Sequence, residues 1–358
     1  MADDGTGETG GSTDDGDMPT GVPILGNGTH DVGNLEVVMV AGPADGLNQP
    51  TDLEFNPDQE GALWVTNIAD FSVVVIGDAG QSTQGTVKIR DEFEGGQHFL
   101  AKPAALAFGI NGAFATAQQE DGYTQPDTPF DFMGPTLWTS NFNDFTGGHW
   151  GHLDMLHNSP LSSGIAWAGG NAYWIYDGAH RSLTYYDFVD DHGLGGTDHS
   201  DGVVYRFVEG EVGYQGGQVP HHVEYDMGTG YVYAADPANG RIVRLDSNTG
   251  TMGSFIGPDY DGGTQRRWDD AVLETFVDGS SLDPIMKMPS GVTLHDGMIF
   301  ASDHELSRLY AFSMGGELLD WVDMGLPAGS LVGFTFAEDG SLYFADKLGS
   351  RVFRINAP

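Results

Sequence analysis

Twelve histidines and 52 Asp and Glu, with no cysteine, are the groups with which this chain can bind a cation or move a proton. Without thiolates, disulfides and cysteine-bound zinc are excluded, and any metal would rest on imidazole and carboxylate. Three stretches concentrate these groups. VPHHVEY sets His221 beside His222, HWGHLDMLHN spaces His149, His152 and His157 in a Trp-containing segment, and DDHGLGGTDHSDG carries Asp190, Asp191, His192, Asp198, His199 and Asp201 around glycines. The first offers a ligand to a larger site. The second reads as a lid or a second metal cluster, and the third as a cation-attracting loop that three carboxylates and carbonyls would make a calcium site. Its spacing is not that of the helix–loop–helix calcium motif.

The elements that must position these groups repeat. HHVEYDMGTGYVYAADPANGRIVRLD, SGVTLHDGMIFASDHELSRLYAFS and VGFTFAEDGSLYFADKLGSRVFRI share one plan of strand, Gly/Asp turn, aromatic-rich strand ending in Asp, and a third strand opened by Arg. TDLEFNPDQEGALWVTNIADFSVVVI, AALAFGINGAFATAQ and SGIAWAGGNAYWIYDGAHRSLTYYDF are earlier copies. Apolar or alternating runs of Val, Ile, Tyr, Phe and Trp between turns are strand patterns, and a unit that cannot bury its own face must stack on copies of itself. The expected fold is all-β, a six-bladed propeller over residues 34–358. NLEVVMVAG, residues 34–42, is expected to pair with the last blade and close the ring, removing a free sheet edge. Longer connections at 119–160, 187–219 and 257–288 would carry the individual features.

In such a ring the first strand of every copy lines the central channel. Aligning Ala105, Gly164 and His222 at one strand position leaves His98 and His157 each seven residues upstream and His221 one. Three imidazoles delivered to one mouth would bind Zn2+ or another divalent transition metal and leave a position for water or substrate. His98, His157 and His221 are therefore the candidate ligands, while alternation turns His222 to the other side of its strand. Histidines packed on aromatics at polar turns are the competing reading. Trp138, Phe142, Phe145 and Trp150 stand in a long connection and suggest an apolar ligand pocket or a sugar-stacking surface.

GSLYFADKLGSRVFRI and GYVYAADPANGRIVRLD resemble NHL repeats, over about residues 51–356. PHHVEYDMGTGYVYAADPANGRI and HFLAKPAALAFG resemble two of the three zinc-histidine segments of the peptidyl-hydroxyglycine amidating lyase, an NHL propeller that splits an N-alkyl hemiaminal into amide and glyoxylate. The resemblance implies a zinc-ligand role for His221 and, with one residue of slip, for His98. The third ligand would fall near Val332, where none stands, so His157 is its substitute. Calcium-dependent lactonases, another propeller group, would need a Glu, two Asn and an Asp around an axial ion, with Asp52 and Asn158 the nearest matches here.

A formal charge of −38 repels nucleic acid and anionic lipid, so neither is an expected partner. No run of about 20 apolar residues is present to cross a membrane. Residues 1–33 open as MADDGTGETGGSTDDGDMPTG, which has almost nothing to bury and reads as a disordered tether like the spacer behind a lipoprotein's lipid anchor. The expectation is an exported monomer, periplasmic or on the cell surface, that binds a small molecule or a protein at its propeller mouth. A metal, Zn2+ or Ca2+, would assist, and a three-histidine lyase or hydrolase or a lactonase-like hydrolase are the enzymatic alternatives.

Overall fold

The computed structural model describes residues 21–90, 99–121, 132–145 and 152–357. Six sheets stand around one axis. Their innermost strands, Pro50–Phe55, Pro103–Phe108, Gly164–Gly169, Val223–Asp226, Pro289–His295 and Leu331–Phe336, each touch the next, and the last touches the first. These define blades one to six. Six apolar clusters fill the six seams between blades, for example Leu53, Val65 and Val74 against Val332, Tyr343 and Val352. Each sheet buries its two faces against its neighbours, so the core is a ring.

The last blade is closed as the sequence suggests. Val37–Ala41 is its outer strand and runs antiparallel to Arg351–Ile355, with Val37 opposite Ile355 and Met39 opposite Phe353. The repeated Asp and Arg hold the turns. Asp346 accepts the Gly349 N–H at 2.9 Å and Arg351 Nε at 2.9 Å, while Asp236 takes Arg241 Nε at 2.8 Å and the Gly213 N–H of the preceding blade at 3.1 Å.

Two boundaries move. Residues 22–28, expected within the tether of residues 1–33, are packed on the ring: Val22, Ile24 and Leu25 are buried in the seam of blades five and six, and the Val22 and Gly28 N–H groups donate to Asp320 Oδ2 at 2.7 and 3.0 Å. The apolar run VPIL supplies that burial. Residues 1–20 lie outside the described residues. The long connections also hold strands. Thr136–Thr139 and His152–Met155 complete blade two, Val203–Phe207 completes blade three, and Val272–Asp278 completes blade four. These outer strands are short or separated by insertions, so they leave no repeat. Trp138 consequently belongs to the blade core, fully buried against Phe114 and Phe145, rather than to a loop pocket. Blade three is extended by Thr264–Asp269, parallel to its outer strand, and by Thr251–Phe255 beyond it.

Candidate functional site

Cross-strand pairing fixes which residues of the inner strands share a level. Glu54, Ala107, Ala166, Glu224, Thr293 and Thr335 occupy one level, each opposite the residue three places before the end of its blade's second strand. Four are small, and the two glutamates come from blades one and four, opposed across the ring. Two residues earlier stand Asp52, on the inner strand of blade one, and His222, immediately before that of blade four, and alternation puts them on the same side as the glutamates. His222 Nδ1 lies 3.7 Å from Asp52 Oδ1, so these two side chains meet across the channel. Room for them comes from blade six. A Cβ on Gly333 would fall 2.6 Å from His222 Cε1, 2.7 Å from the Thr51 carbonyl and 2.8 Å from Asp52 Oδ1.

Each axial carboxylate also reaches backbone. Asp52 accepts the Leu53 and Leu106 N–H groups at 2.9 Å each, and Leu106 lies in blade two. Glu54 is supported by the Phe108 backbone and Glu224 by those of Leu294 and Tyr225. Burial pushes Glu224 up to about 8, and the neighbouring charges of Asp226 and Asp52 add to it. Burial likewise holds Glu54 well above the carboxylate range, with Asp52 and Glu224 adding repulsion, and raises Asp52 against the opposing charge of His222. The Nε2 atom of His222 is buried without a hydrogen-bond partner. Three oxygen-donor groups that disfavour one another's charge, beside a bare imidazole nitrogen, suit a cation or a donor-rich ligand.

The three histidines expected to share a metal fare differently. His98 lies outside the described residues. His221 is fully buried, stacked on Tyr176 at 4.1 Å with 6° between rings, and both its nitrogens are engaged: Nε2 accepts the Gln215 N–H at 3.1 Å, and Nδ1 donates to the Val219 carbonyl at 3.1 Å, with Ser163 Oγ at 3.0 Å. Burial lowers it to about 3, which keeps it neutral. The ring's one lone pair, on Nε2, is thus taken by the Gln215 N–H, and a metal at His221 would have to displace that bond. Its neighbour His222 is the one that faces the axis.

His157 is buried where blades two and three meet. Asp261 grips it twice, accepting its backbone N–H at 3.0 Å and approaching Nδ1 at 2.5 Å. Phe132 and Tyr260 flank the ring at 4.1 and 5.7 Å between centroids, and His199 stands 6.4 Å away. The structure thus brings His157 to the histidine-bearing stretch of residues 190–201 and not to His221. Glu54 and Glu224 were missed in the sequence, although their place two residues after an axial Asp or His in the first strand was a usable signal.

No family model matches the chain, and no curated protein matches it. Solved structures do resemble it. A gluconolactonase from Xanthomonas campestris superposes with a TM-score of 0.58 at 11% identity, covering 92% of this chain and 91% of that one. An auxiliary nutrient binding protein from Bacteroides thetaiotaomicron gives 0.58 at 10% identity, covering 89% and 76%. A calcium-binding protein, regucalcin, from Agrobacterium tumefaciens gives 0.51 at 11% identity, covering 90% and 94%. At such identities the likeness concerns the fold, and in its fold this chain is an NHL-like six-bladed β-propeller.

Proposed function

We propose that the protein is an extracytoplasmic binding propeller that takes a small molecule, rather than a protein partner, into its axial channel together with a hard divalent cation, Ca2+ in the first place. The observation that carries this reading is the opposed placement of Glu54 and Glu224 on the inner strands, one level from Asp52 and His222. Carboxylates enclosed this closely cost free energy when charged, and a dication offsets that cost by joining them through oxygen donors. His222 Nε2 would then fix the ligand's orientation by a hydrogen bond. A calcium-binding protein, a lactonase and a nutrient-binding protein of the same fold support the reading. The Gly/Thr/Asp-rich opening and the nutrient-binding likeness support the extracytoplasmic placement.

Hydrolysis is a second reading, favoured by the bare Nε2 of His222, which could accept a proton from water. The first test is calorimetric titration of Ca2+ into the protein. One ion per chain is expected, with loss of uptake in the Glu54→Gln/Glu224→Gln double variant. A parent protein that takes up no Ca2+ would reject the reading.

A further inference from the structure

Away from the axis, the two histidine-bearing stretches fold onto one another. Asp154 lies on the outer strand of blade two, His152–Met155, and His192 and His199 lie on the connection between the third and fourth strands of blade three. That connection is tied down where the His192 N–H donates to the Leu153 carbonyl at 3.1 Å. One donor atom from each of Asp154, His192 and His199 comes within 4.8 Å of the others'.

Three features separate this group from an ordinary cluster of polar side chains. Asp154 is completely buried, and while its Oδ1 meets the Met155 N–H at 2.6 Å and His199 Nδ1 at 2.5 Å, its Oδ2 has no hydrogen-bond partner. A buried carboxylate oxygen left bare is costly. His192 donates Nδ1–H to the Gly193 carbonyl at 2.6 Å, which fixes its tautomer and leaves the lone pair on Nε2, and that atom too is buried and unpartnered. An imidazole held through its other nitrogen by a carbonyl is how metal-ligating histidines are oriented. The rings of His192 and His199 are 5.1 Å apart, and the Asp261-held His157 stands beside them.

We infer that Asp154, His192 and His199 form a binding site for a divalent transition metal of the zinc type at the seam of blades two and three. Two imidazoles and one carboxylate are a donor set that suits a borderline ion and leaves coordination positions open for water or a ligand. Donors around a four-coordinate zinc stand about 3.4 Å apart, so the group needs only a small inward movement. The glycine-rich run Gly193 to Gly196 in the same connection permits it. This site shares no residue with the axial channel and does not rest on the reading given for it.

The test is titration of Co2+, a spectroscopic stand-in for Zn2+, into untagged, chelator-treated full-length protein. Visible d–d absorption reports nitrogen and oxygen ligation, and Zn2+ competition reports affinity. One equivalent of Co2+ is expected, with binding weakened about 10-fold or more in His192→Gln and in Asp154→Asn and unchanged in Glu54→Gln/Glu224→Gln. Because removing a buried carboxylate can harm folding, His192→Gln, on a half-buried connection, is the deciding variant provided its metal-free melting temperature matches the parent's. Absence of stoichiometric uptake, uptake indifferent to His192→Gln, or uptake lost in the axial double variant would each overturn the assignment.

Discussion

His221 and His222 are adjacent, yet one is sealed between tyrosines and the other crosses the channel to Asp52. Burial holds His221 to about 3 against an ordinary 6.5. The unfolded chain therefore binds a proton between those values that the folded chain refuses, so stability rises with pH through that window. Denaturation midpoints measured from pH 7 down to 4 should fall in the parent, and the slope should be shallower in His221→Gln, which should also cost about 1–3 kcal/mol at pH 7 through its lost stacking and hydrogen bonds. Glu224 has the opposite sign. Its folded value of about 8, against 4.5, means the folded state keeps a proton that the unfolded chain has released. Stability is lost as pH rises through that interval, and Glu224→Gln should remove the loss and exceed the parent in midpoint above pH 8.

At the scale of elements, channel and closure depend on particular strands. Gly333 sits in the inner strand of blade six at a point where a methyl group would strike His222, Asp52 and the Thr51 carbonyl. Gly333→Ala should destabilise by about 1–3 kcal/mol and, by pushing the Asp52–His222 pair aside, weaken Ca2+ binding; thermal melts and calorimetry read the two effects separately. Val37–Ala41 closes the ring against Arg351–Ile355. Deleting residues 1–41 should expose that edge and give concentration-dependent association in sedimentation, with the parent monodisperse under the same conditions. The inner and second strands were legible in the sequence because turn, aromatic run and Asp recur at fixed offsets. Apart from Val37–Ala41 the outer strands were not, since sequences such as HLDM, and the third strand TLWT before it, are too short to show a period and lie inside insertions.

For the whole molecule, 52 acidic against 14 basic side chains leave self-repulsion that compaction worsens. Raising NaCl from low to near-molar concentration should increase the melting temperature, because screening lowers that repulsion more in the compact state than in the expanded one. Among the described residues, the salt bridges of Asp236 with Arg241 and Asp346 with Arg351 serve turns within a blade rather than offsetting this excess.

The sequence by itself determined the architecture: a six-fold repeat of strands that cannot bury their faces singly has one economical arrangement, and the spare N-terminal strand showed how the ring closes. It also determined which residue types would do chemistry, since a chain without cysteine must use imidazole and carboxylate. Only the tertiary structure decided which of them meet. Asp154 and His192, 38 positions apart, come together because the connection of blade three folds back along the outer strand of blade two. His221 is packed on Tyr176 with Gln215 and Val219 bonded to its two nitrogens, while its neighbour His222 meets Asp52. Repeats are written in local spacing, which a sequence displays. Partnership between side chains is set by how blades pack and insertions return, and that is a property of the closed ring.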